Sequence, residues 1–198
     1  MTPFYRCARF LCAVVFRLLW RYRATGAEHI PRTGPVIVAG NHVSYLDPVA
    51  LGIGVPRGLT YLAKKELFAV PLLGPIIRAC GAYPLDREAG GAAGLRAALR
   101  VLKDGKCIGI FPEGGRNRDG TAVEKGGAAL LAALSGAPVV PAAIVGTRNA
   151  KRLGRIQVAF GEPLTIVRNR KADGDDLEKW TVEIMRRIRA LEESIGAH

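Results

Sequence analysis

The sequence predicts an α/β fold: one layered domain with a mostly parallel or mixed sheet flanked by helices, plus an amphipathic N-terminal helix. Short apolar runs of strand character alternate along the chain with longer segments whose apolar residues recur every three or four positions. The 198 residues, 49% apolar and 23% charged, suffice for one sizeable core and exclude disorder. No internal repeat or low-complexity linker divides them. The single boundary falls near Gly26, separating residues 1–25 from residues 26–198.

The elements follow in chain order. Residues 36–39 are a short apolar run between Pro35 and Gly40, read as a buried strand, and Pro48 suits the first turn of a helix reaching about Gly52. Residues 59–63 read as a strand, 72–80 as a helix and 82–85 as a short strand. Residues 90–103 form an amphipathic helix with Leu95, Leu99 and Leu102 inward, and 107–111 a buried strand. A turn-rich loop fills 112–125. The uncharged stretch 126–147 is long enough to span a membrane, but Ser135-Gly136-Ala137-Pro138 splits it into a buried helix, 128–134, and a buried strand, 139–145. Residues 156–160 alternate as a strand does. Leu177, Trp180, Ile184, Ile188, Leu191 and Ile195 mark a C-terminal helix.

The N-terminal segment holds five arginines and no acid. Its apolar run, residues 10–16, is far short of the roughly 20 residues a spanning helix needs. Arginines that interrupt and follow the run argue against a signal peptide. At about 100° per residue, Arg6, Arg9, Arg17 and Arg21 share one arc of a helix. Leu11, Val15, Leu18, Leu19 and Tyr22 lie opposite. Such a helix, with Trp20 near its end, is expected to lie in the headgroup plane of an anionic membrane surface.

The net charge is +12. Residues 26–167 carry 17 basic and 10 acidic side chains, whereas residues 168–198 are balanced. The excess fits an anionic partner. A nucleic acid is disfavoured, because aromatics are 7% of the chain and are not interleaved with the basic residues. The four cysteines are widely spaced and the histidines number three, which excludes a disulfide framework and a multi-histidine metal centre.

Two segments carry candidate chemistry. Asn41-His42-Val43-Ser44-Tyr45-Leu46-Asp47 directly follows a predicted strand, where α/β proteins place their sites. An imidazole with an ordinary pKa near about 6.5 suits a general base, and a carboxylate five residues on, brought back by a turn into a helix, would orient it. The nucleophile is either Ser44 or a hydroxyl of the substrate. Phe111-Pro112-Glu113-Gly114-Gly115-Arg116 follows another strand. Its glycines let backbone N–H groups approach a ligand, and Arg116 offers a planar fork for phosphate. Lys125, before a Gly-Gly pair and a helix, adds a second cation, and Arg87 ends the strand at 82–85.

The ordered set Asn41-His42-x-Ser44-x-x-Asp47, the strand leading from Gly81 to Arg87, Phe111-Pro112-Glu113-Gly114-x-Arg116 and Val140-Pro141 resembles the glycerolipid acyltransferases, in particular the bacterial 1-acyl-sn-glycerol-3-phosphate acyltransferase type. The resemblance covers about residues 26–162. It implies a reaction without cofactor or metal, in which acyl-CoA or acyl-carrier protein acylates the sn-2 hydroxyl of a lysophospholipid to give phosphatidic acid. His42 would deprotonate that hydroxyl, Asp47 would orient His42, and Arg87, Glu113, Gly114, Arg116 and Lys125 would bind the acceptor. Ser44 is then a turn hydroxyl. The implied location is peripheral, on the cytoplasmic face of the cell membrane. The third block departs from the usual Glu-Gly-Thr-Arg-Ser: Gly115 and Asn117 replace the hydroxyl residues. Another lysolipid or glycerol-type acceptor, such as lyso-ornithine lipid or glycerol 3-phosphate, is the alternative this departure favours.

Overall fold

The computed structural model describes residues 2–85, 91–117 and 124–196. Among the described residues there are eight strands: β1 (Arg23–Thr25), β2 (Val36–Gly40), β3 (Leu59–Thr60), β4 (Leu62–Lys64), β5 (Tyr83–Leu85), β6 (Cys107–Ile110), β7 (Val139–Val145) and β8 (Gln157–Phe160). Six build one sheet in the order β1-β8-β7-β2-β6-β3, and β4 pairs with β5 separately. Every pairing is parallel except β7 with β8, so the sheet is mixed.

Among the described residues, six α-helices cover the sheet: α1 (Pro3–Trp20), α2 (Asp47–Gly54), α3 (Leu73–Ala79), α4 (Gly91–Lys103), α5 (Gly127–Ser135) and α6 (Gly174–Gly196). Strand β2 is buried along its whole length, because both of its faces are packed. Val36 and Val38 face a cluster with Phe16, Leu51 and Ile144, beneath α1 and α2. Ile37 and Ala39 face Val101, Leu131 and Ile184, beneath α4, α5 and α6. A side chain as deeply buried as Leu51 contributes about 1.5–3 kcal/mol by leaving water. The result is three layers, helix–sheet–helix, as the alternation of elements predicts.

The differences from expectation are local. The run at 59–63 is two strands, and Tyr61 between them ends pairing in the main sheet. Strand β1 escapes sequence reading because its three residues are largely exposed and show no period. It nevertheless runs parallel to β8. In α1, Thr2 caps the start by accepting the Tyr5 N–H at 3.1 Å, and Pro3 opens the first turn. Arg21 takes a left-handed conformation at the other end. Tyr22 therefore leaves the helix instead of joining its outer apolar face. It is buried, and its hydroxyl donates to the Ala50 carbonyl at 2.8 Å. Arg9 also departs from the arginine arc and turns inward, donating twice to the Ile53 carbonyl. The outer face of α1 keeps Phe4, Leu11, Val15 and Leu18 exposed. Among the described residues no helix is long and apolar enough to cross a membrane.

The cysteines probe this packing. Cys107 sits on a buried strand, and burial pushes its thiol up to about 12, against which Arg57 acts weakly. Cys7 is exposed. Near about pH 8, a thiol-alkylating reagent is expected to modify Cys7 first and to leave Cys107 untouched until the protein is denatured. Peptide mass spectrometry reads the order, and native labelling of Cys107 at the rate of Cys7 would refute this placement of β6.

Candidate active site

The site forms at the C-terminal ends of β2, β6 and β7, where three loops leave neighbouring strands. After β2 the chain turns at Ser44, whose hydroxyl accepts the Leu46 N–H at 3.3 Å, and enters α2 at Asp47. The Asp47 side chain is fully buried. One oxygen, Oδ2, accepts from the Val43 N–H at 2.6 Å and the Ser44 N–H at 2.7 Å, and lies 3.0 Å from His42 Nδ1. A carboxylate in the first helical turn thus folds back onto the preceding loop and fixes one ring nitrogen. With Nδ1 acting as donor, Nε2 is the acceptor. The other face of the site is aromatic: the Phe111 ring stacks on the His42 ring at 4.2 Å, and Tyr61 lies parallel beyond it at 6.1 Å. The Tyr61 hydroxyl donates to the Pro48 carbonyl at 2.8 Å. Gly109 on β6 is what admits the Tyr61 ring, since a Cβ there would collide with it.

The loop after β6 grips the same turn. Glu113 Oε2 accepts the His42 N–H at 2.7 Å, Oε1 accepts from the Asn117 amide at 3.2 Å, and the Asn117 N–H donates to the His42 carbonyl at 2.6 Å. The peptide groups on both sides of His42 are therefore held. Gly114 has φ +66°, and its N–H is committed to the Phe111 carbonyl at 2.9 Å. Beside it the Lys125 side chain packs so closely that a Cβ on Gly114 would lie 2.9 Å from Nζ. The Arg116 guanidinium lies 3.6 Å above the Tyr45 ring. Gly115 has open space where a side chain would be. His42, Asp47, Glu113, Gly114, Arg116 and Lys125 thus belong to two apposed loops, whereas Arg87 lies outside the described residues.

Sequence reading misses several participants. Asn117 counts there as a lost hydroxyl, yet here its amide and backbone brace the turn. Asn41 is buried, and its side chain pairs with both backbone groups of Ile144, accepting the N–H at 2.7 Å and donating to the carbonyl at 2.9 Å. The second amide hydrogen goes to Glu192 of α6 at 2.6 Å. No local pattern signals Glu192, which lies 151 positions away on a helix read from its apolar residues alone. A cavity of about 260 Å³ adjoins this region, lined by Glu113, Asn117, Glu124, Arg148, Arg189 and Glu192. Arg189 pairs with Glu124.

Burial raises the carboxyl pKa values of both Glu113 and Glu192. For Glu113 the bonds from Asn117 and His42 oppose the rise. For Glu192 the charge of Glu113 adds to it, and Arg189, Arg148 and the Asn41 bond oppose it. A carboxyl raised in the folded state contributes stability below its ordinary pKa and loses that contribution as pH rises through the folded value. Glu192→Gln is accordingly expected to melt above the wild type at about pH 7.5, with the gap closing towards about pH 4, where both side chains are neutral. Thermal denaturation across that range checks it, and a gap that stays constant with pH contradicts it.

The chain is similar to known proteins along most of its length. A family model described as Acyltransferase matches residues 21–145. The chain is 33% identical over 162 residues to a 1-acyl-sn-glycerol-3-phosphate acyltransferase of Bacillus subtilis, covering 80% of each chain. It is 30% identical over 194 residues to one of Streptococcus pneumoniae, covering 93% of this chain and 72% of that protein. The crystal structure of the 1-acyl-sn-glycerophosphate acyltransferase from Thermotoga maritima superposes with a TM-score of 0.75 at 28% identity, over 96% of this chain and 78% of that one. With these likenesses running through both loops and the strands that carry them, the chain belongs to the acyltransferase family.

Proposed function

We propose that this acyltransferase moves a fatty acyl group from acyl-CoA or acyl-carrier protein to the sn-2 hydroxyl of 1-acylglycerol 3-phosphate, giving phosphatidic acid. The observation that carries the reading is the His42–Asp47 pair at 3.0 Å with its second ring nitrogen unengaged among the described residues. Nε2 takes the proton of the acceptor hydroxyl as its oxygen attacks the thioester carbonyl. The imidazolium that forms is stabilised by Asp47. The tetrahedral intermediate then expels the thiolate, and the proton on His42 passes to it, so the thiol leaves neutral and the base is regenerated. The acceptor supplies the nucleophile, which leaves Ser44 to its turn.

Arg116 and Lys125, with Arg87, are assigned to the acceptor phosphate, whose charge they match. Glu113 serves that site by holding the loop that carries His42. With the Gly114 N–H committed to Phe111, the backbone N–H groups of Gly115 and Arg116 are assigned as donors for the developing oxyanion. The space at Gly115 supports the second reading, a differently shaped acceptor such as lyso-ornithine lipid or glycerol 3-phosphate. An acceptor panel with one acyl donor separates the two, and selective use of a phosphate-free acceptor removes the roles of Arg87 and Arg116.

The proposed setting follows from the substrate's own chemistry: a two-tailed product belongs in a bilayer. Residues 1–25 are proposed as the membrane-interface segment and residues 26–198 as the acyltransferase domain, with the protein peripheral on the cytoplasmic face. Supporting this, α1 docks on α2 by its Arg9 and Phe16 side and turns Phe4, Leu11, Val15 and Leu18 outward, beside the exposed arginines Arg6 and Arg17. The Thr2 hydroxyl reaches the Ala79 carbonyl, which sets this stripe next to α3 with its exposed Leu72, Leu73 and Ile76.

Two outcomes are expected. His42→Ala lowers lysophosphatidic-acid-dependent thiol release from acyl-CoA at least about a hundredfold, with the melting temperature retained. Full activity in that variant overturns the mechanism. The double variant Leu11→Ser/Leu18→Ser loses at least about tenfold in partitioning to vesicles of anionic phospholipid, read by cosedimentation. Unchanged partitioning removes α1 from the membrane contact.

A further inference from the structure

One side chain reaches the site from beyond the residues that the family model matches. Glu192 lies on α6, and its Oε1 accepts from the Asn41 amide at 2.6 Å. The remaining capacity of that amide is spent on β7, through the two bonds to Ile144 at 2.7 and 2.9 Å. Asn41 is buried, so with Glu192 gone one of its amide hydrogens has no acceptor, and a buried unpaired donor favours any displacement that brings it to water. Asn41 immediately precedes His42. The two peptide groups of His42 are themselves held by Glu113 and Asn117, so a shift at Asn41 is delivered to the imidazole and to its bond with Asp47.

We infer that Glu192 is a positioning residue for acyl transfer: by accepting from Asn41 it fixes the start of the loop that carries His42. The inference rests on the acyl-transfer reading above and adds the C-terminal helix to the machinery. The bond asks for an acceptor oxygen at the right reach and does not ask for a charge. A bland role, in which Glu192 merely balances Arg148 and Arg189 across the cavity, asks for the charge and tolerates a shorter side chain.

Three variants of the full chain separate these roles, assayed by thiol release from acyl-CoA at varied lysophosphatidic acid. Glu192→Gln keeps an oxygen at the same reach and is expected to hold kcat within about twofold of wild type. Glu192→Asp keeps the charge but falls one methylene short, and is expected to lose about tenfold in kcat with KM for the acceptor within about twofold. Glu192→Leu is expected to behave as Glu192→Asp, and the first two decide the matter if it does not fold. Wild-type kcat in Glu192→Asp, a fall in Glu192→Gln equal to that in Glu192→Asp, or a change confined to KM overturns the assignment. If wild type itself shows no acceptor-dependent release, the acyl-transfer reading fails and this role with it. If wild type turns over and Glu192→Asp matches it, the role of Glu192 alone fails.

Discussion

The site depends on one buried carboxylate. Asp47 is withdrawn from water, and its two oxygens are met unequally: Oδ1 finds no hydrogen-bond partner among the described residues. Its Oδ2 gathers two backbone N–H groups and faces one imidazole nitrogen. The same atom therefore closes the turn after β2, begins α2 and selects which nitrogen of His42 points outward. The local geometry of the turn and the orientation of the imidazole therefore share a cause.

Around that centre the polar groups are arranged in two tiers. Against the imidazole stand aromatic rings, Phe111 and then Tyr61, which keep one flank dry. Behind the loops stand Glu113, Glu192 and two arginines around a cavity. The second tier is costly, because two carboxyl groups there resist ionisation. A protein that needed stability alone would fill this space with apolar side chains. Each of the two acids instead terminates in a bond to the segment Asn41–His42, so the polar cost is concentrated where backbone position matters most.

Much of this was legible in the sequence, for physical reasons that can be named. The apolar run at 139–145 coincides with β7 because Pro138 and the Ser135-Gly136 break bound it and both its faces are buried. His42 and Asp47 were recoverable because they are five residues apart, and a turn into a Pro-started helix leaves few ways to place them. Contacts of long separation were not recoverable. Nothing near residue 192 announces Asn41, because α6 is patterned for its own buried stripe of Ile184 and Ile188. Helical periodicity also misplaced Tyr22, since it takes no account of where a helix stops. The left-handed Arg21 ends the phase one residue early and sends the ring into the core. Arg9 misled in the same way: its guanidinium found a carbonyl on α2, which is invisible to an angular plot.

The absence of a side chain at residue 109 reaches further than its small size suggests. Tyr61, Phe111 and the imidazole lean on one another in sequence, and the first of the three has room because that strand residue is bare. A methyl group there, chemically inert, would press on Tyr61 and, through Phe111, reach the His42 ring as a mechanical push.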